Sequence, residues 1–545
     1  MRMYIFHIIL LFSSTVIASE GFHINKEDIG RHISILSSDE FLGRAPATQG
    51  GEKTKDYIAS HFKKFGLSPG NGNSFYQTVN LVESSVLPGG YLEISQDSKK
   101  RRLQLGSECV YATKRLVENI NIEKSEMIFV GFGIVAPEYG WNDYKNLDVR
   151  GKTVVILVND PGFWTEDPNL FKGKAMTYYG RWTYKYEEAA RQGAAAVLII
   201  HETEPAAYPW GVVENSFTGP QIDLIRSNLT TDRVKLEGWI TYDVAVKLFS
   251  DAGLDLEEYK MKALSANFQA ADMGDLQLNA NFSNSIRTSN DENLIGIVKG
   301  KNRPDEYILY MAHWDHLGQI KTQDSLDNIY NGAVDNATGV AAILEIAEAF
   351  SDPDTRPDRS IIFLAVTAEE SGLLGSAFFA DNPTVPLSSI VGGINFDALF
   401  PTGPARDITV VGLGSSEMED ILRAIASKSG RYLVPESRPE WGIFFRSDHI
   451  SLAKKGVPML YLDSGIDLIE GGKESGMAYV NNYTVNRYHK PSDEYSKDWD
   501  LRSIVEDAKL GFSLGLEIAN SEVWPNWYQG NEFRPIRDAQ MEDKK

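Results

Sequence analysis

The sequence predicts an α/β protein: a mixed, mostly parallel sheet flanked by helices, with a smaller α/β unit inserted into it. Three observations predict it. The second half alternates apolar strand-like runs near 294–298, 307–312, 361–366, 391–396, 408–412 and 458–462 with helical patterns near 335–350, 417–428 and 501–519. The stretch 126–270 repeats strand, helix and strand on a smaller scale, punctuated by glycine. A set of His, Asp and Glu residues falls at the ends of the second-half elements, where open α/β sheets bind ligands.

In chain order, the first 18 residues are expected to be a cleaved secretory signal. Arg2 gives a positive start, residues 4–12 form an apolar core too short to span a bilayer, and Val16-Ile17-Ala18 offers small residues for cleavage near Ala18. A secreted or periplasmic location follows, with no stable membrane insertion of the mature chain. The main domain opens over 19–125. Ile29, Ile33 and Leu36 recur at helical spacing, and 52–65 forms an amphipathic helix burying Tyr57, Ile58, His61, Phe62 and Phe65 before Gly66 stops it. Residues 75–110 read as strands joined by Lys/Arg-rich turns. In the insert, 127–134, 153–158 and 194–200 read as strands and 184–192 as a helix. It gathers no cluster of ligand types; His201 and Glu202 at a strand end read as a solvated loop. The main domain resumes over 271–525, and 526–545 is a tail. The aromatics Trp524, Trp527 and Tyr528 are expected to pack on the surface there.

Length and composition narrow the function classes. A chain of 545 residues holds two or three domains. A net charge of -21 lacks the basic footprint of a nucleic-acid partner and suits a carboxylate-rich site. With Cys109 as its one cysteine, the chain makes no intrachain disulfide and is held by its cores.

Five positions carry the chemistry. His313 follows the strand 307–312, Asp335 precedes a helix, Glu369-Glu370 follows 361–366, Asp397 follows 391–396, and His489 lies in a polar loop. Imidazole and carboxylate are ordinary zinc ligands, and two zinc ions need a bridging group. Asp335 can give one oxygen to each ion, with His313 and Asp397 completing one and Glu370 and His489 the other. Water held between two such ions ionises near neutral pH. Of the adjacent glutamates, one ligates while the other faces the water as general base. Asp315 is placed to accept the second N–H of His313, and Tyr488 to donate to a tetrahedral oxyanion. His316, Asp448 and His449 read as pocket residues outside the ligand set. Each residue alone has a plainer reading: a satisfied polar His, a solvated Glu-Glu, a helix cap at Asp335-Asn336. Cobalt or manganese suits the same ligands.

His313-Trp314-Asp315, Gly332-Ala333-Val334-Asp335-Asn336, Ala368-Glu369-Glu370-Ser371-Gly372, Asn395-Phe396-Asp397 and Tyr488-His489 resemble the motifs of the secreted co-catalytic di-zinc exopeptidases. That family includes bacterial aminopeptidases, glutamate carboxypeptidases and the transferrin receptor. Leu36-Ser37-Ser38-Asp39-Glu40-Phe41-Leu42-Gly43-Arg44 is similar to its N-terminal segment. The resemblance implies a zinc exopeptidase fold and two Zn2+ per chain. It implies His313, Asp335, Glu370, Asp397 and His489 as ligands, Glu369 as base, Tyr488 as oxyanion helper and peptides as substrates. The insert, through Gly133-Ile134-Val135-Ala136-Pro137-Glu138-Tyr139-Gly140-Trp141 and Gly151-Lys152-Thr153, resembles a protease-associated domain. Ala398 stands where relatives often carry Met. An aminopeptidase, with Trp441, Phe444 and Phe445 offered to a substrate side chain, is the first expectation. A carboxypeptidase or dipeptidase using Arg446 or Arg487 is the second, and a non-catalytic receptor-like protein the third. The complete ligand set argues against the third, and His313 against a one-zinc glutaminyl cyclase. Oligomeric state stays open.

Overall fold

The computed structural model describes residues 24–226, 233–320 and 327–542; the expected signal over 1–18 lies outside them. The site-bearing sheet is built around Arg303–His313, which lies parallel to Arg359–Val366 on one side and Ile390–Phe396 on the other. Met459–Asp463 adds in parallel beyond Ile390–Phe396. The outer pairings bring in antiparallel strands: Asp407–Val411 on one side and the end of Ala271–Val298, with Tyr76–Val86, on the other. Every residue of Arg359–Val366 and Ile390–Phe396 is buried, because helices cover both faces and leave no polar side.

Alternation along Arg303–His313 sorts its residues between two cores. Ile308 and Tyr310 pack with Ile29, Ile58, Ile343 and Ile504, from the helices Lys26–Leu36, Gln49–Lys64, Thr338–Ser351 and Arg502–Asn520. Leu309 and Met311 pack on the opposite face with Phe379, Phe445, Leu452 and Trp527. Trp527 therefore joins a core rather than the surface expected for it. Its indole N–H donates to the Gly456 carbonyl at 3.0 Å. The tail continues into a helix, Arg534–Glu542.

The second sheet has its own cores on its two faces. Asn119–Phe129, Thr153–Leu157, Ala196–His201 and Leu236–Thr241 run parallel in that order, and Cys109–Ala112 closes one side in antiparallel pairing. Tyr91–Gln96 and the first part of Ala271–Val298 extend the other side. This sheet reaches beyond 126–270 in both directions, and the 28-residue strand Ala271–Val298 passes from one sheet into the other. Among the described residues, no helix is long and apolar enough to cross a membrane.

Candidate metal centre and active-site cavity

The ends of three parallel strands bring the expected residues together. His313 ends its strand; Glu369, Glu370 and Asp397 lie just past theirs. Asp335 sits in the turn Ala333–Ala337, where its peptide to Asn336 is cis. His489 arrives from the loop after the helix Gly472–Asn486, in a left-handed conformation at φ 55°.

His313 Nε2 lies 3.2 Å from Asp335 Oδ1 and 3.2 Å from Asp397 Oδ1. His489 Nε2 lies 3.3 Å from Asp335 Oδ2 and 3.1 Å from Glu370 Oε2. Ligands about 2.0 Å from a tetrahedral ion stand roughly 3.3 Å apart along each edge. The four separations match that edge, and Asp335 offers one oxygen to each set. The charge balance points the same way. Burial works against a charge on His313, yet Asp397 and Glu369 draw its pKa well above normal. Burial likewise opposes charge on His489, and Glu370 and Asp335 still push it up to about 10. Despite burial, hydrogen bonds from both imidazoles hold the Asp335 carboxyl well below the usual range. Positive charge is thus stabilised where the two ligand sets converge, and the donor set fits two cations.

Supporting contacts cross the structure. Asn336 donates to the Phe396 carbonyl at 3.0 Å and accepts from the backbone N–H of Gly339 and Ala398, tying the Asp335 turn to the Asp397 loop. Ser447 donates to Asp397 Oδ2 at 2.6 Å. Buried Arg44 donates to the carbonyls of Leu36, Trp314, Asn331 and Gly332, joining the N-terminal segment to the loops after His313 and before Asp335. Asp493 accepts from the backbone N–H of Val334 and Asp335. Sequence reasoning overlooked Asp493, whose one signal was its place in the polar loop with His489.

Asp315 departs from its expected geometry. His313 Nδ1 lies 3.1 Å from the Asp315 carbonyl oxygen, while the carboxylate stands 3.8 Å away, beyond hydrogen-bond range. The Asp315 carboxylate instead accepts from the backbone N–H of Glu369 at 3.1 Å, so it orients the Glu369 loop. His316, set aside in the sequence, has Nδ1 2.6 Å from Glu370 Oε1. His449 is fully buried against Phe444, and burial lowers its pKa to about 3, making it a neutral core residue.

A cavity of about 230 Å³ opens over the centre. His313, Asp335, Glu369, Asp397, Tyr488 and His489 line its floor, and Trp441, Ile443, Ile466, Met477 and Val480 form an apolar wall. Arg438, Arg446, Glu436 and Asp463 add ionisable side chains to the lining. Phe444 and Phe445, expected beside Trp441, are buried in the core behind it, and Arg487 is not part of the lining. Burial, opposed by His313 and reinforced by Glu370, lifts the Glu369 carboxyl well above its ordinary value. The Tyr488 ring stacks on His489 at 3.9 Å, and burial with neighbouring carboxylates keeps its hydroxyl protonated. The helix Gly472–Asn486 supplies Met477 and Val480 but buries few residues, so it lacks the apolar stripe that announces a helix in sequence. The second sheet's unit packs behind this wall: the Met176 N–H donates to the Pro439 carbonyl at 3.1 Å, and Lys454 pairs with Glu187 at 3.0 Å.

Residues 293–512 match the family model described as Peptidase family M28. Aminopeptidase NAALADL1 of Rattus norvegicus is 35% identical over 102 residues, 18% of this chain and 12% of that protein. A glutamate carboxypeptidase 2 homolog of Caenorhabditis elegans is 32% identical over 109 residues, 19% of this chain and 13% of that protein. The chain thus spans only 12–13% of the length of these relatives. Among solved structures, an aminopeptidase from Aneurinibacillus sp. strain AM-1 superimposes with a TM-score of 0.48 at 19% identity, covering 92% of this chain and 95% of that one. The residues that match the family model carry all five ligand candidates.

Proposed function

We propose that this chain is a zinc-dependent exopeptidase that removes residues from the N-terminus of peptides. The observation that carries this reading is Asp335, shared between two imidazole–carboxylate sets on the floor of a cavity that Glu369 also lines. Zinc held by His313, Asp335 and Asp397, and by Asp335, Glu370 and His489, would supply Lewis acidity toward a peptide carbonyl and acidify water at the site. Glu369 takes the attacking water's proton on its carboxylate and passes it to the leaving amine nitrogen. Tyr488 donates a hydrogen bond from its hydroxyl to the carbonyl oxygen as negative charge develops there. The free amino group of the substrate is held among the cavity's carboxylates, and the wall of Trp441, Ile443, Ile466 and Met477 takes an apolar side chain while excluding water. Export of the mature chain rests on the signal-like residues 1–18.

Glu369→Gln tests the role of the base. Turnover is expected to fall roughly 10²–10⁴-fold while two zinc ions remain bound; unchanged turnover rules the role out. One observation favours a second reading. Arg446 is an exposed cation lining the cavity, suited to a substrate carboxylate, as in a carboxypeptidase or dipeptidase. Amino-acid amides and N-blocked dipeptides, assayed with and without chelator, separate the two. Cleavage of amides alone supports the aminopeptidase, and cleavage of blocked dipeptides supports the alternative.

A further inference from the structure

We propose that His316 is a sixth member of the centre: a positioning residue that holds Glu370 in place as a one-oxygen ligand. This rests on the di-zinc reading above. The distances separate its role from that of the ligands. The four ligand-to-ligand contacts lie at 3.1–3.3 Å, the edge of a tetrahedron around an ion. His316 Nδ1 and Glu370 Oε1 are 2.6 Å apart, too close to share an ion and typical of a short charge-assisted hydrogen bond. A carboxylate only accepts, so Nδ1 carries the proton of that bond. With Oε1 engaged, Oε2 is left facing His489 Nε2 at 3.1 Å.

The fold holds the imidazole firmly. The ring is buried, and its edge meets His489 at a centroid distance of 5.7 Å. Gly332, at φ +55°, leaves the space it needs: a Cβ there would come within 2.6 Å of the ring and 2.2 Å of the Asp335 carbonyl oxygen. His316 Nε2 has no hydrogen-bond partner among the described residues. Among the described residues, the ring's one hydrogen bond therefore goes to Glu370. Without it, the Glu370 carboxylate is free to rotate, and the Asp335–Glu370–His489 set loses its preformed geometry.

The test uses the full chain, stripped of metal and titrated with Co2+ and Zn2+ against a chromophoric chelator, with Co2+ absorption as a spectroscopic readout. The parent is expected to bind two ions. His316→Leu, which removes the donor, should weaken the second ion roughly 10–100-fold and leave the first unchanged. His316→Asn, whose amide N–H can replace Nδ1, should restore affinity to within about threefold. The unchanged first ion serves as the check on folding. Parent-like second-ion affinity in His316→Leu overturns the proposal. Equal loss in both variants also overturns it, because Nε2 would then be a ligand. A parent that binds fewer than two ions refutes the di-zinc reading itself, a result distinct from either.

Discussion

Arg44→Met removes the strut under the centre while keeping an apolar stem of similar length. Arg44 donates four hydrogen bonds to backbone carbonyls: Trp314 at 3.0 Å, Leu36 at 2.9 Å, Asn331 at 2.6 Å and Gly332 at 2.8 Å. Hydrogen bonds from a charged donor contribute about 1.5–3 kcal/mol each, so the four together come to about 6–12 kcal/mol. Against this stands the cost of burying the guanidinium, which lowers its pKa to about 10 even with Asp335 and Asp493 opposing it. That shift corresponds to about 3 kcal/mol. The net loss is then at least about 3 kcal/mol, or roughly 6–12 °C in the melting temperature of a unit of this size. Differential scanning calorimetry reads it. The two sheets have separate cores, so the transition of the site-bearing unit should shift and that of the other should stay. Arg44→Lys, with one donor group in place of the fork, should fall between the parent and Arg44→Met. A shift below about 2 °C for Arg44→Met would refute the reasoning, because the carbonyls would then have found other partners.

Two further outcomes follow from buried ionisable groups. Lys55 is buried and pairs with Asp291 Oδ1 at 2.6 Å, Glu52 at 2.7 Å and Glu292; Asp291 in turn accepts from Thr367, next to the Glu369 loop. Lys55→Met should cost about 3–5 kcal/mol by leaving Asp291 buried and uncompensated. Adding Asp291→Asn should recover part of that in thermal melts; no recovery would mean the loss came from packing. His449, with a folded pKa of about 3 against 6.5, stays neutral where the unfolded chain takes up a proton. The unfolded state therefore binds more protons between pH 6.5 and 3, and His449's contribution to stability falls as pH drops through that window. At pH 5, which is 1.5 units below 6.5, the loss is about 2 kcal/mol. His449→Phe should be spared it, so denaturant unfolding at pH 7.5 and 5 should show a smaller acid loss than the parent; equal losses would contradict the buried neutral state.

What the sequence determined by itself is local. Apolar runs such as 361–366 announced strands buried on both faces, and the 3.6-residue recurrence of Ile29, Ile33 and Leu36 announced a helix. Three of the five ligand candidates, His313, Glu370 and Asp397, were legible because each stands at a strand end, where backbone direction alone places a side chain at the sheet's edge. The helix Gly472–Asn486 was not, because it faces a cavity on one side and solvent on the other and carries no buried stripe. Tertiary structure decided the rest. Whether 91–96 pairs into the first sheet or the second depends on its partner, Ala271–Val298, far along the chain. His316 and Asp493 acquired roles only when the loop ends met, and Asp315 turned its carboxylate from His313 to the Glu369 backbone. Arg44 meets the carbonyl of Asn331, 287 residues away, and no local pattern marks such an acceptor. Burial sets the reason: a polar group withdrawn from water must find a partner, and which partner is within reach depends on how the layers close.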